Sequence, residues 1–323
     1  MRLALIALLL IGCTYDDPGP RRTVTLAPGE TAAPPLTVAP SAWKRIADIT
    51  TPRSEVAAAV FRGVVYVVGG FGGGNVVETY VPDHWSAAPR YPIFVDHAMA
   101  AGVDTAGTPG LYVFGGNVSG VAVARSFRYF GDEGWREIAP MPAPRSQAAA
   151  AAIGGRIFIV GGAQGDRLFS PTFVYDTATD RWTTAAPIPT PRDHLAAAAI
   201  DGRVCAVGGR RLSLLQNLAT FECYDPATDA WQAMADAPTA RGGIGAAALG
   251  SRLFVTGGEQ PVGTFKDVDI FDAASAKWAR GPDLPTSRHG LAVVALAGTL
   301  YVMSGGPAPG VSQTAVCEAL DVR

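Results

Sequence analysis

The chain has 323 residues, with 26 Lys and Arg against 28 Asp and Glu, for a formal net charge of −2. That balance argues against a nucleic-acid binder, because neutralising a phosphate backbone takes a basic face. At 48% hydrophobic and 17% charged residues the chain is too apolar to be disordered, and its 38 Gly and 25 Pro suit many short strands rather than long helices.

Residues 1–12 read MRLALIALLLIG, with Arg2 followed by an apolar run from Leu3 to Ile11. The run is too short to span about 30 Å of hydrocarbon and fits the apolar region of a secretory signal. It ends in Leu10-Ile11-Gly12-Cys13, which resembles the bacterial lipobox. The resemblance implies that Cys13 carries diacylglycerol and becomes the mature N-terminus. It implies a lipid anchor in the cell envelope, facing the periplasm or the exterior. Residues 14–41 are rich in Pro, Thr and Ala and carry neither helical nor strand periodicity. As a flexible tether they would reach roughly 30 Å. The expected division is a signal peptide over 1–12, a lipidated N-terminus and tether over 13–41, and a folded domain over 42–323.

From residue 42 onward two markers recur in phase. Gly pairs end the runs VYVVGG at Gly70, LYVFGG at Gly116, IFIVGG at Gly162, VCAVGG at Gly209 and LFVTGG at Gly258, with LYVMSGG reaching Gly306. Trp occurs at 43, 85, 135, 182, 231 and 278, and from each Trp to the next pair the spacing is 26, 30, 26, 26 and 26 residues. The sixth repeat keeps register if Ser304-Gly305 is its pair. Within a repeat an Arg (Arg53, Arg145, Arg192, Arg241, Arg288) opens a run of small residues, a tight turn follows, and an aromatic-rich strand ends in the Gly pair. A loop of variable length then leads to a third strand ending in Tyr-Asp or Phe-Asp, as at Tyr175-Asp176. Ala has the best helix propensity, but the Ala runs are short, bounded by turns and repeated beside strands. They are read as innermost strands crowded round an axis. The recurring Args are read as structural.

The Gly pair, the aromatic-Asp and the Trp resemble the Kelch repeat, over about residues 42–323. The resemblance implies an all-β fold, a six-bladed Kelch β-propeller with about 47 residues per blade. The sixth repeat lacks its Trp strand, and Trp43 precedes any Gly pair, so the segment around Trp43 is expected to complete the last blade and protect its edge.

The loop after the second strand and the loop before the first emerge on one face. The former varies between repeats (FGGGN at 71–75, RRLSLLQN at 210–217) and is where binding chemistry tends to sit. The Trp43 strand starts at the opposite face, so the variable face points away from the tether. Positions after the Arg and after the Gly pair place Glu55, Phe71, His97, Asn117, Gln147, Asp193, His194, Arg210, Glu259 and His289 round the mouth of the axis. These are the candidate ligand-binding residues. Three His can hold a zinc ion, but His97, His194 and His289 belong to repeats two, four and six and are read as spread round the ring. No metal and no cofactor is therefore expected. Cys205 faces residue 222 or 223 across a hairpin, so in an oxidising compartment Cys205 and Cys223 are placed to bond, which leaves Cys317 as a lone thiol.

Two functions compete. The first is a monomeric, lipid-anchored binding module for a protein or carbohydrate ligand. The second follows from the resemblance, since periplasmic Kelch propellers include sialic acid mutarotases. Such an enzyme needs an acid/base group and a cation for the sugar carboxylate, which Glu55, Glu259, Arg210 and the histidines could supply. A deep pocket with Glu and Arg converging on it favours the enzyme. A broad face favours the binder.

Overall fold

The computed structural model describes residues 43–104 and 106–322. Cys13, the signal segment and the tether lie outside the described residues. Six four-stranded antiparallel blades surround an axis. Blade 1 comprises Ala57–Phe61, Val64–Val68, Val77–Val81 and His84–Ala88; blade 2, Met99–Val103, Gly110–Phe114, Ser126–Tyr129 and Trp135–Ile138. Blade 3 comprises Ala149–Ile153, Arg156–Val160, Thr172–Asp176 and Arg181–Ala185; blade 4, Ala196–Ile200, Arg203–Val207, Phe221–Asp225 and Ala230–Ala233. Blade 5 runs Gly242–Leu249, Arg252–Gln260, Val268–Asp272 and Lys277–Arg280. Blade 6 has three strands from the C-terminus, Ala292–Leu296, Thr299–Met303 and Cys317–Asp321, and takes Lys44–Arg45 as its fourth. Lys44 pairs with Ala319 and Arg45 with Glu318, so the segment after Trp43 closes the ring as expected. The alanine runs are strands, because their small side chains face the crowded axis.

The core lies between blades. Successive side chains of a strand point to opposite faces, so the second strand of blade 3 sends Ile157 and Ile159 against Tyr112 and Phe114 of blade 2. The alternate residues Phe158 and Val160 pack on Val204 and Ala206 of blade 4. Both faces are buried, which is why these strands read as unbroken apolar runs. Each of the six Trp indoles donates its Nε1 hydrogen to a backbone carbonyl of the preceding blade: Trp85 to Ala47, Trp135 to Pro89, Trp182 to Ala139, Trp231 to Ala186, Trp278 to Ala235 and Trp43 to Pro282, at 2.8 to 2.9 Å. Trp is thus an interblade tie.

The Gly pairs do the same at the other end of the strand. The second Gly donates to the carbonyl of the Arg position in the next blade, from Gly116 to Arg145 round to Gly305 to Arg53. A Cβ on the first Gly would meet that blade's backbone, 2.3 Å from the Arg145 carbonyl at Gly115. In the sixth repeat Ser304 takes the first Gly's left-handed conformation (φ 62°) and donates its hydroxyl to the Arg53 carbonyl. Ser304-Gly305 is therefore the sixth pair.

The five recurring arginines are buried and reach down their own blades to strand carbonyls. Four also pair with an acid on the third strand: Arg53 with Glu78, Arg192 with Glu222, Arg241 with Asp269 and Arg288 with Glu318. In blade 3 that acid is replaced by Phe173, whose ring lies 4.1 Å from the Arg145 guanidinium carbon. Burial without a carboxylate partner lowers the Arg145 pKa to about 9. In blade 2 both members are apolar, Val95 and Phe127. No blade keeps the acid without the arginine, because a buried carboxylate without its cation is costly. Cys205 and Cys223 stand directly opposite each other in blade 4 and form a disulfide. Cys317 is a buried free thiol, its pKa pushed up to about 11 by burial.

Arg192→Met should cost about 3–5 kcal/mol by orphaning Glu222. Arg145→Met, which orphans no carboxylate, should cost clearly less. Arg192→Val with Glu222→Phe, which installs the pairing of blade 2, should recover most of the loss. Equilibrium urea unfolding measures all three, and equal losses for the two arginines would contradict this account.

Candidate functional site

At the variable face the residues two positions after each Arg, and after Val95 in blade 2, close a ring of backbone hydrogen bonds about the axis. The amide of His97 donates to Glu55, Gln147 to His97, His194 to Gln147, Gly243 to His194, Gly290 to Gly243 and Glu55 to Gly290, at 2.7 to 3.2 Å. All six have left-handed φ, between 52° and 69°. That conformation costs a side-chain-bearing residue about 1–2 kcal/mol, much the same as one hydrogen bond returns. Stability therefore does not explain why Glu55, His97, Gln147 and His194 occupy positions that glycine fills in blades 5 and 6. Their side chains do, since backbone strain of this kind gathers at functional sites. Glycine at 290 has its own cause: a Cβ there would lie 2.4 Å from Glu55 Oε1.

Those four side chains line a small cavity at the mouth. His97 Nε2 lies 3.2 Å from Glu55 Oε2, and His289 Nε2 lies 3.3 Å from Glu55 Oε1 and 3.6 Å from Glu259 Oε2. The rings of His97 and His194 meet edge to face with centroids 5.2 Å apart, and Phe71 stands edge-on to His97 at 5.3 Å. Each of these two histidines has its Nδ1 2.6 Å from the carboxylate of the preceding residue, Asp96 or Asp193. Arg210 Nη1 donates to Glu259 Oε1 at 2.7 Å, and its Nε lies 3.7 Å from Asp193. Asn117 donates to Asp96 at 3.1 Å.

All ten candidate residues thus sit at the mouth, and seven of them, Glu55, His97, Asp193, His194, Arg210, Glu259 and His289, form one contact network. Asn117 joins it through Asp96, Phe71 packs on its edge, and the Gln147 side chain lines the cavity without a polar contact to the others. The expectation that the histidines are spread apart is corrected: the backbone ring draws the mouth so narrow that His97 and His194 meet edge to face, and His289 is linked to His97 through Glu55. Asp96 is an addition. Its signal was the dipeptide Asp-His at 96–97 and again at 193–194.

The charges are unequal. Burial pushes the Glu55 pKa up, but the three imidazoles and Arg210 outweigh it and the net shift is down. Burial opposes ionisation of Asp193 too, and is outweighed chiefly by His194. Burial lowers the pKa of both ring histidines. At His97, Glu55 and Asp96 reverse the shift, so it ends raised; at His194 burial wins against Asp193, with Arg210 assisting, so it ends lowered.

Residues 95–236 match the KLHDC2/KLHL20/DRC7 Kelch-repeats domain. The chain is a six-bladed β-propeller with Kelch repeats. It is similar in fold to the solved structure of YjhT, with a TM-score of 0.72 at 16% identity, over 84% of this chain and 95% of that one. At that identity the likeness carries the fold alone. No curated protein sequence matches the chain. On the Kelch scaffold Trp, Gly pair and Arg are framework, and the residues that differ between blades are the mouth.

In chelator-treated protein the His97 imidazole should lose its proton above the ordinary midpoint near 6.5 and that of His194 below it. The stability tied to His97 is full below that midpoint and lost as pH rises through its raised folded value. That tied to His194 is present above the midpoint and lost as pH falls through its lowered folded value. Imidazole NMR titration measures both, and a reversed order would contradict the assignment.

Proposed function

We propose that this Kelch propeller is a binding module whose variable-loop face receives a protein partner, presented from an envelope membrane by lipid on Cys13 and the tether of residues 14–41. The observation that carries the reading is the placement of exposed apolar side chains. Among the described residues seven large hydrophobics are exposed: Val81, Phe94, Val121, Leu212, Leu215, Val262 and Val311. All but Val81 lie on the loops of the variable face, standing round the polar mouth. Leu215, Val262 and Val311 are 83%, 89% and 77% exposed. An apolar crown about a polar centre is the composition of an interaction surface. A carbohydrate partner is less well served, since the six indoles are committed between blades and Phe94 is the sole exposed large aromatic of this set.

The enzyme reading needs a free cation for an anionic sugar. Arg210 and Glu259 do converge, but on each other. Glu55, Asp96, Asp193 and Glu259 also crowd the mouth with carboxylates, against the one guanidinium of Arg210. That field disfavours an anionic substrate and leaves the binding reading ahead.

Capture from envelope extract tests it. The native chain should retain a partner that a variant carrying Leu215→Asp, Val262→Asp and Val311→Asp loses, while Val81→Asp on the opposite face keeps it. A partner held equally by the loop variant would place the interaction elsewhere.

A further inference from the structure

We propose that Glu55, His97 and His194 form a binding site for one divalent transition-metal ion on the propeller axis. The proposal is independent of whether a protein docks on the rim. A Glu55 carboxylate oxygen and one ring nitrogen of each histidine lie within 4.8 Å of one another. Two ligands each about 2.0–2.1 Å from one tetrahedral ion would be about 3.4 Å apart, and the observed separation of His97 Nε2 from Glu55 Oε2 is 3.2 Å.

The surroundings of the histidines point the same way. Metal-bound imidazoles usually hold a carboxylate or carbonyl at the second ring nitrogen, which fixes tautomer and orientation. Both ring histidines have that carboxylate, at 2.6 Å on Nδ1, from Asp96 and Asp193. This leaves each Nε2 as the ligating atom. The His194 side chain is 7% exposed, and its Nε2 has no hydrogen-bond partner among the described residues. That imidazole nitrogen faces the mouth cavity beside a carboxylate and a second imidazole, where it is placed to take a cation.

A second acidic group, Glu55 with Glu259 and His289, shares the mouth but is satisfied from within. Glu259 accepts from Arg210 and from the Gly310 amide, and His289 Nδ1 lies 3.1 Å from the Gly306 carbonyl. The ion therefore belongs on the His97–His194 side. With two imidazoles, one carboxylate and no thiolate, the donor set suits zinc or another first-row divalent ion and leaves a coordination position toward the mouth.

The test uses the purified full-length chain, stripped with chelator and titrated with Zn²⁺ by calorimetry and with Co²⁺ by visible absorption. One equivalent of each should bind, with Co²⁺ giving ligand-field bands and no thiolate charge-transfer band. His194→Ala should weaken Zn²⁺ binding at least 100-fold, and Asp193→Asn, nearly isosteric and made in case the alanine variant fails to fold, should weaken it about 10–100-fold. His84→Ala, the histidine outside the mouth, should leave the affinity unchanged. Absence of saturable uptake, or a full equivalent retained at native affinity by both His194→Ala and Asp193→Asn, would overturn the proposal.

Discussion

A closed ring of six peptide hydrogen bonds, one from each blade to the blade before it, is the constraint on which the rest of the molecule depends. A blade has no core of its own, since alternate residues of its second strand pack against different neighbours. Six such sheets become one structure only when each is held to the next. The propeller holds them at three levels: amide to carbonyl at the axis, Gly amide to Arg carbonyl further out, and indole to carbonyl on the rim. Each tie uses backbone acceptors. The facing side chains are therefore free to vary from blade to blade, provided that volume and charge balance are kept.

The same ring makes the site. It forces a left-handed backbone at six positions and brings their side chains within a few ångströms of the axis. Where a side chain is present it must project into the mouth, and where another occupies that space glycine is required, as at Gly290 against Glu55. Charges held this closely shift the ionisation of Glu55 and Asp193, and the two histidines of like sequence context, His97 and His194, are driven in opposite directions. Strain, charge and burial all coincide at the mouth, while the apolar loop tips stand outside it.

Much of the fold was legible because Kelch blades repeat a spacing. The Trp and Gly markers, the strand character of the Ala runs and the closure by Trp43 all follow from phase. What phase conceals is radius. His97, His194 and His289 are far apart in sequence and in alternate blades, and only the size of the axial ring decides whether they touch. The disulfide illustrates the same limit: hairpin arithmetic placed Cys205 opposite residue 222 or 223, and the settled register was needed to choose Cys223. The apolar crown was hidden because Leu215, Val262 and Val311 lie in loops without common length or pattern.

Amide hydrogen exchange at the ring tests the central claim most directly. The amides of Glu55, His97, Gln147, His194, Gly243 and Gly290 should be protected as strongly as the innermost strands and should open together, at the free energy of global unfolding. Exchange of these six at the rate of the exposed loops, or one by one, would show that the blades are not held at the axis and would contradict the account.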